Sequence, residues 1–221
     1  TGFLTYSFTD TNSVGNKLHI TYFVAIAENK DTTFSPKLFS NNKILLQTEY
    51  RQKNKNSNHI LDFSFLSDDD GSFKSHFFSN NEKEINFAKF ESSKLKLRLE
   101  HTNHDSYLET YKLKSPIIEN SNLLTSSIGL SAYSEDIDFD LDFYAYEDLD
   151  VLSNDRYEYI FPSYNLSKKQ NYNFGLDGNF LFNSAGYLKS YATNTTEKII
   201  VNDLYFNSTP NYSDSGIRNE Y

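Results

Sequence analysis

The chain of 221 residues has no cysteine, no methionine and no tryptophan. Without cysteine, disulfide frameworks, thiolate zinc sites and cysteine nucleophiles are excluded together, while the redox compartment stays open. Without methionine there is no initiator, and the opening Thr1-Gly2-Phe3-Leu4 has neither the basic region nor the apolar run of a signal peptide. An internal or processed piece of a longer protein is expected. Positive charge is also in deficit: 21 Lys and Arg face 30 Asp and Glu, for a net charge of -9. No basic stripe of the kind that follows a phosphate backbone interrupts that balance, so nucleic acid is not expected as a partner. Long apolar runs are missing as well. Residues 22–27 form one of the longest, far below the roughly 18 residues of a membrane helix.

What is present is aromatic: 17 Tyr and 19 Phe, 16% of the chain, in a sequence only 38% hydrophobic. Disordered chains of such polarity are poor in aromatics, so the composition implies order without an ordinary apolar core. Periodicity then sets the class. Ile137, Phe139, Leu141, Phe143 and Ala145 alternate with Asp136, Asp138, Asp140 and Asp142, which sorts them cleanly onto two faces of a strand and onto no single face of a helix. Leu95, Leu97 and Leu99 alternate in the same way with Lys94, Lys96, Arg98 and Glu100, as do Leu61, Phe63 and Phe65 with Asp62 and Ser64.

Candidate strands cover 3–9, 17–27, 32–39, 43–52, 59–65, 72–78, 94–100, 107–113, 123–133, 136–146, 156–166, 172–182, 187–195 and 198–207. Turn-forming clusters separate them, among them residues 41–42, 53–58, 68–71, 80–81, 153–155 and 183–186. A single domain over residues 1–221 is expected, an antiparallel meander with no convincing amphipathic helix. Two architectures use such strands. A sandwich joins the apolar faces in a core, whereas an outer-membrane barrel turns them to lipid and keeps the polar faces in the lumen. Segments of about nine to twelve residues match tilted membrane strands and exceed the usual five or six of soluble sheets. An up-and-down transmembrane barrel is therefore expected, here as roughly 13–14 strands of a larger one. Tyr157, Tyr159, Phe161 and Tyr205 are expected at its interfacial girdles.

Residues that carry chemistry are sparse. His101 and His104, followed by Asp105, are one close histidine pair, and they read as a solvated loop because no second cluster completes a metal site. Asp68-Asp69-Asp70-Gly71 reads as a turn, since the ligand spacing and closing Glu of an EF-hand loop are missing. There is no Gly-x-Ser-x-Gly elbow and no phosphate-cradling glycine loop. No enzyme activity, catalytic residue, metal or cofactor is expected. Lys94, Lys96 and Arg98 are expected to face the lumen, where they could meet anionic groups, and Asp138, Asp140 and Asp142 likewise, where they could form a cation-selective constriction. Solvation of the lumen accounts for both rows equally well.

Residues 22–36, which include Tyr22, Asp31 and Pro36, resemble the first barrel strands of the lipopolysaccharide-assembly protein family LptD, the organic solvent tolerance proteins. Glu49-Tyr50-Arg51 is similar to the next strand of that family, Asp105-Ser106-Tyr107-Leu108 to its Asp-x-Tyr-Leu turn, Arg156-Tyr157 with Pro162 to its Arg-Tyr-Pro strand, and Asn202-Asp203-Leu204 to a strand near mid-barrel. The matches follow one another in order along most of the chain. The resemblance implies a translocon in the outer membrane of a Gram-negative bacterium that releases lipopolysaccharide laterally into the outer leaflet. It also implies an LptE-like plug lipoprotein, outer-membrane lipid, and an LptA-like periplasmic bridge reached through a jelly-roll domain outside this sequence. The gate would lie along the first two strands, at Thr5 and Phe8 and at Thr21 and Tyr22. These strands depart from the family in having no proline, and Thr21 stands where a second proline is expected. Other readings of the same pattern are a porin or receptor barrel that conducts small solutes and a secreted β-rich adhesin.

Overall fold

The computed structural model describes residues 1–9, 15–40, 42–67, 71–87, 89–174 and 176–219. Twelve strands lie side by side in chain order, each antiparallel to the next. They are β1 (Gly2–Thr9), β2 (Lys17–Ala27), β3 (Lys30–Phe39), β4 (Ile44–Asn54), β5 (Ser57–Ser67), β6 (Phe73–Glu84), β7 (Ser92–Thr102), β8 (Leu123–Tyr133), β9 (Ile137–Asp148), β10 (Tyr157–Phe174), β11 (Leu176–Tyr191) and β12 (Thr195–Ser208). A separate two-stranded hairpin, β13 (Asn211–Tyr212) with β14 (Arg218–Asn219), follows. The architecture is all-β, up-and-down and barrel-like, and the sheet is open, with β1 and β12 at its edges. Tight connections are what an antiparallel meander permits, and β4 passes to β5 through Lys55 and Asn56 alone.

Register carries each side of every strand across the whole sheet. Glu49 lies opposite Asp62, Asp62 opposite Phe78, and Phe78 opposite Glu100; further on, Lys96 lies opposite Gly129, Gly129 opposite Asp142, and Asp142 opposite Ser163. Paired residues point to the same side. One face, called inner below, therefore holds most of the ionisable strand residues. The outer face holds Phe63, Phe65, Phe77, Leu99, Ile128 and Phe161, all of them exposed. Phe139, Leu141 and Phe143 belong to the outer face, and Asp138, Asp140 and Asp142 to the inner one, as their alternation requires.

Four expectations are corrected. Residues 107–113 do not form a strand: Tyr107–Thr110 is a short helix, α1. Tyr107, Leu108 and Tyr111 are all buried, and their spacing of one and four places them on one helical face, a periodicity that a seven-residue window does not separate from alternation. Asn80 and Asn81 lie inside β6, and residues 183–186 lie inside β11, because the cross-strand ladder satisfies a backbone that asparagine and glycine alone would turn. The span 172–182 crosses the tip between β10 and β11, and residues 187–195 join the end of β11 to its turn. Tyr205 falls on the inner face, opposite Leu181, and not with the outer aromatics. Tyr157, Tyr159 and Phe161 do line the outer face, each ring against the next at 6.4 and 5.6 Å between centroids. Asn41 and Asp68 to Asp70 lie outside the described residues.

Candidate functional site

Residues 103–122, between β7 and β8, do not loop away from the sheet. They fold back onto its inner face. Tyr107, Leu108, Tyr111, Leu113 and Ile117 of this insert form one buried cluster with Phe39, Leu45, Leu66, Phe78, Leu124 and Leu149. Each such side chain contributes about 1.5–3 kcal/mol when fully removed from water, so this patch is the apolar core that the composition seemed to deny. The helix ends in a tight motif: Leu113 N–H donates to Leu108 O at 2.9 Å and Lys112 N–H to Glu109 O at 3.1 Å. Lys112 takes a left-handed backbone with φ of 46°, the conformation that stops a helix while still satisfying its last carbonyls.

Beside this core runs a buried polar chain. Lys37 donates to Gln47 Oε1 at 3.0 Å, and Gln47 Nε2 donates to both oxygens of Asp62 at 3.1 Å and to the insert's Lys114 carbonyl at 2.9 Å. His76 Nε2 stands 3.4 Å from Asp62 Oδ1, at ion-pair distance but without hydrogen-bond alignment. Its Nδ1 lies 2.6 Å from Ser64 Oγ, which also meets the Tyr107 hydroxyl at 2.8 Å. Burial pushes that hydroxyl up to about 12, so Tyr107 stays a neutral hydrogen-bonding group. The trio Asp62, His76 and Ser64 has the composition of a hydrolase triad, yet Ser64 is 2% exposed and its oxygen is shared between His76 and Tyr107. Both contacts of that oxygen tie the insert to β5 and β6.

Two further clamps hold the segment. Arg98 Nε donates to Glu100 Oε1 at 2.6 Å and its NH2 donates to the Ile117 carbonyl at 2.8 Å. Arg156, in the 3-10 turn Asn154–Arg156, forks onto Asp105, with NH1 to Oδ2 at 3.2 Å and NH2 to Oδ1 at 2.7 Å, while NH2 also reaches Glu147 at 3.0 Å. A planar guanidinium suits this bidentate contact. The Arg156 hydrogen bond holds the Asp105 carboxyl below its ordinary value.

The candidate residues named from sequence are thus distributed unequally. Arg98 is engaged with the insert, whereas Lys94 is paired with Glu82 at 3.4 Å. Lys96 and Asp142 are drawn to each other electrostatically across Gly129, where any side chain would meet the Asp142 carboxylate. The Lys row and the Asp row are therefore complementary halves of one surface, with Asp140 opposite Ser131 and Asp138 opposite Tyr133. Motif residues far apart in sequence meet: Asp31 pairs with Arg51 at 2.7 Å, as Asp105 does with Arg156. Tyr50 donates to Gln52 at 2.7 Å. Pro36 sits in β3 opposite Leu46, and Pro162 in β10 at the register shift between Ile160 and Ser163. Asn202 pairs with Ser184 and Asp203 with Asn183. Tyr157 stands opposite Glu147 and accepts the Arg156 guanidinium over its ring at 5.6 Å.

Of the residues expected at a gate, Phe8 is 67% exposed on the outer face, Tyr22 meets Phe3 edge-on at 4.9 Å, and Thr21 lies 3.3 Å from His19 Nε2. The Thr5 side chain lies outside the described set. The insert with its partners Gln47, Ser64, Arg98 and Arg156 was not legible as a unit. Its one sequence signal was a pair of motifs, around Asp105 and Arg156, whose partnership only the fold shows. His101 lies outward, opposite Phe77, and among the described residues no group of three His, Cys, Asp or Glu is arranged to hold a metal.

What these features define is a class: an open, up-and-down antiparallel sheet whose inner face carries a folded-in segment. No protein-family model matches the chain, and no curated protein does.

Proposed function

We propose that this chain is part of an outer-membrane β-barrel of a Gram-negative bacterium that passes lipopolysaccharide from its lumen into the outer leaflet. The observation that carries the reading is the fate of the outer face. A soluble sandwich would bury that face against a second sheet. Here Phe3, Tyr6 and Phe8 at one edge, Phe63, Phe65 and Phe77 mid-sheet and Tyr159 and Phe161 further on stay exposed, while the protein's own core forms on the opposite, polar face. That inversion suits a sheet whose outer solvent is lipid. On β10 the outer residues run from Tyr157 through Tyr159, Phe161, Tyr164 and Leu166 before Lys168 and Gln170 begin, a band close to the roughly 9–11 residues of a spanning strand.

The order of motifs that resembles the LptD family supplies the cargo. In this reading the charged sugar head moves along the inner face while the acyl tails leave through a seam beside β1. That strand has 8 residues and a register shift between Phe3 and Tyr6, so it is short and irregular beside its neighbours. No covalent step is required, and the energy comes from elsewhere in the bridge. Photocrosslinking probes at Asp138, Asp140 and Phe139 of the full-length protein in cells test it. Lipopolysaccharide adducts at the two aspartates and not at Phe139 are expected. No adduct at either aspartate, in a protein that still inserts, would overturn the lipid route in favour of a solute pore.

A further inference from the structure

A cavity of about 330 Å³ opens between β1 to β4 and the insert, and its lining includes Lys17, Lys37, Lys112 and Lys114 together with His19 and Glu49. The lysines come from β2, β3 and the insert, so three separate segments deliver cations to one place in a chain of net charge -9. Their own compensation is thin. Glu49 is already engaged by Arg51 at 3.3 Å, and Lys37 spends one donor on Gln47. Among the described residues no acid pairs with Lys17, Lys112 or Lys114, although Lys17 lies within electrostatic reach of the other two. Like charges gathered on separate fixed segments repel, and a multivalent anion is what turns the gathering into an attraction.

We infer that this cavity binds a phosphate-bearing anion, whose oxygens accept from the Lys17, Lys112 and Lys114 ammonium groups and so join the insert to the edge of the sheet beside β1. A phosphate offers more charge and more acceptors than a single carboxylate, which suits Lys17, Lys112 and Lys114, while Lys37 is answered by Asp62 through Gln47. The lining hydroxyl of Ser7 and the half-buried His19 add polar partners without charge of the wrong sign. A lipid headgroup or free phosphate would present the same chemistry. The inference rests on the proposed function only for the first of these sources.

The test uses the full-length protein in detergent, titrated calorimetrically with inorganic pyrophosphate. Saturable binding is expected, weakened by about tenfold for each lysine lost and so by up to about a thousandfold in the K17Q/K112Q/K114Q variant, since each charge-assisted hydrogen bond is worth roughly a factor of ten. K55Q, at the β4–β5 turn, should bind as the parent does. Lys112 and Lys114 are exposed, so K114E alone carries the test if the triple variant does not fold. Absence of binding, or equal binding by parent and variants, overturns the site. Lipopolysaccharide and its dephosphorylated form then serve as competitors. Displacement of pyrophosphate by the phosphorylated form alone supports a lipid headgroup. Failure of both to displace it assigns the site to free phosphate and leaves it standing apart from the transport reading, which the crosslinks decide separately.

Discussion

Strands β3 to β8 and strands β10 to β12 use one alternation and reach opposite ends. On the first group the inner face buries charge: Lys37 is 4% exposed, Asp62 0% and Glu100 5%. On the second the same face leaves apolar side chains open, with Ile199 at 39% and Val201 at 50%. Alternation decides which side a residue takes, but cover decides what that side costs. Twenty residues of insert supply the cover on one half, and a charge beneath them is tolerable only because Gln47, His76 and the insert's own carbonyls answer it. Nothing among the described residues covers the other half, so a charge there keeps its water and a valine there does not lose it.

The sharpest break in that comparison comes from removing one buried acid. Asp62→Ala strands Gln47 and His76 and unseats the insert, and should cost about 3–5 kcal/mol. Asp203→Ala, on the uncovered half and exposed, should stay within about 0.5 kcal/mol. Urea-driven unfolding of the refolded full-length protein reads both. Equal losses would mean that the insert is not the source of the difference.

The next largest effect separates the two faces instead of the two halves. Phe139→Arg should cost about 2–4 kcal/mol near the midplane of a bilayer, and Asp140→Arg much less. Unfolding from lipid vesicles measures this, and equal tolerance would undo the assignment of inner and outer faces. Those faces were legible early, because Ile137 to Ala145 leave no ambiguity of period. The strand order was legible too, since a meander with turns between its strands has few alternatives. The insert was hidden for a physical reason. Tyr107, Leu108, Tyr111 and Leu113 satisfy both periods over seven residues, and their partners Phe39, Leu45, Leu66 and Phe78 lie up to dozens of positions away in sequence. Arg98 was expected to face an open lumen, and its contact with the insert was hidden for a similar reason: charge on a strand face is visible in sequence, whereas a carbonyl that comes to meet it is not.

A smaller effect tests the outer clamp of the insert. Arg156 holds the Asp105 carboxyl below its usual value, and a depressed acid contributes stability above its unfolded value, near about 3.9, and loses it as pH falls through the lower folded value. The clamp should therefore be intact at neutral pH and open in acid below about pH 4. A nitroxide label at Ser106→Cys, followed by electron paramagnetic resonance, should turn mobile over that window. Asp105→Asn should cost about 1 kcal/mol, reduced by solvent screening, and give the mobile spectrum at every pH. A label that is insensitive to acid would leave the buried contacts of Tyr107 as the whole anchor.

The smallest expected change is a gain. Lys112 holds φ of 46°, a region that costs a residue with a side chain about 1–2 kcal/mol, while glycine adopts it freely and instead loses about 0.5–1 kcal/mol through the greater freedom of its unfolded chain. Lys112→Gly should then raise the unfolding free energy by about 0.5–1 kcal/mol, and the same unfolding experiment would show it. Stability should come from the half of the molecule that the insert covers, so the rise should vanish in the Asp62→Ala background if the insert is already loose there. A gain that persists unchanged would show that α1 holds its fold without its seat, and the cover would be a unit of its own and not a product of the charges beneath it.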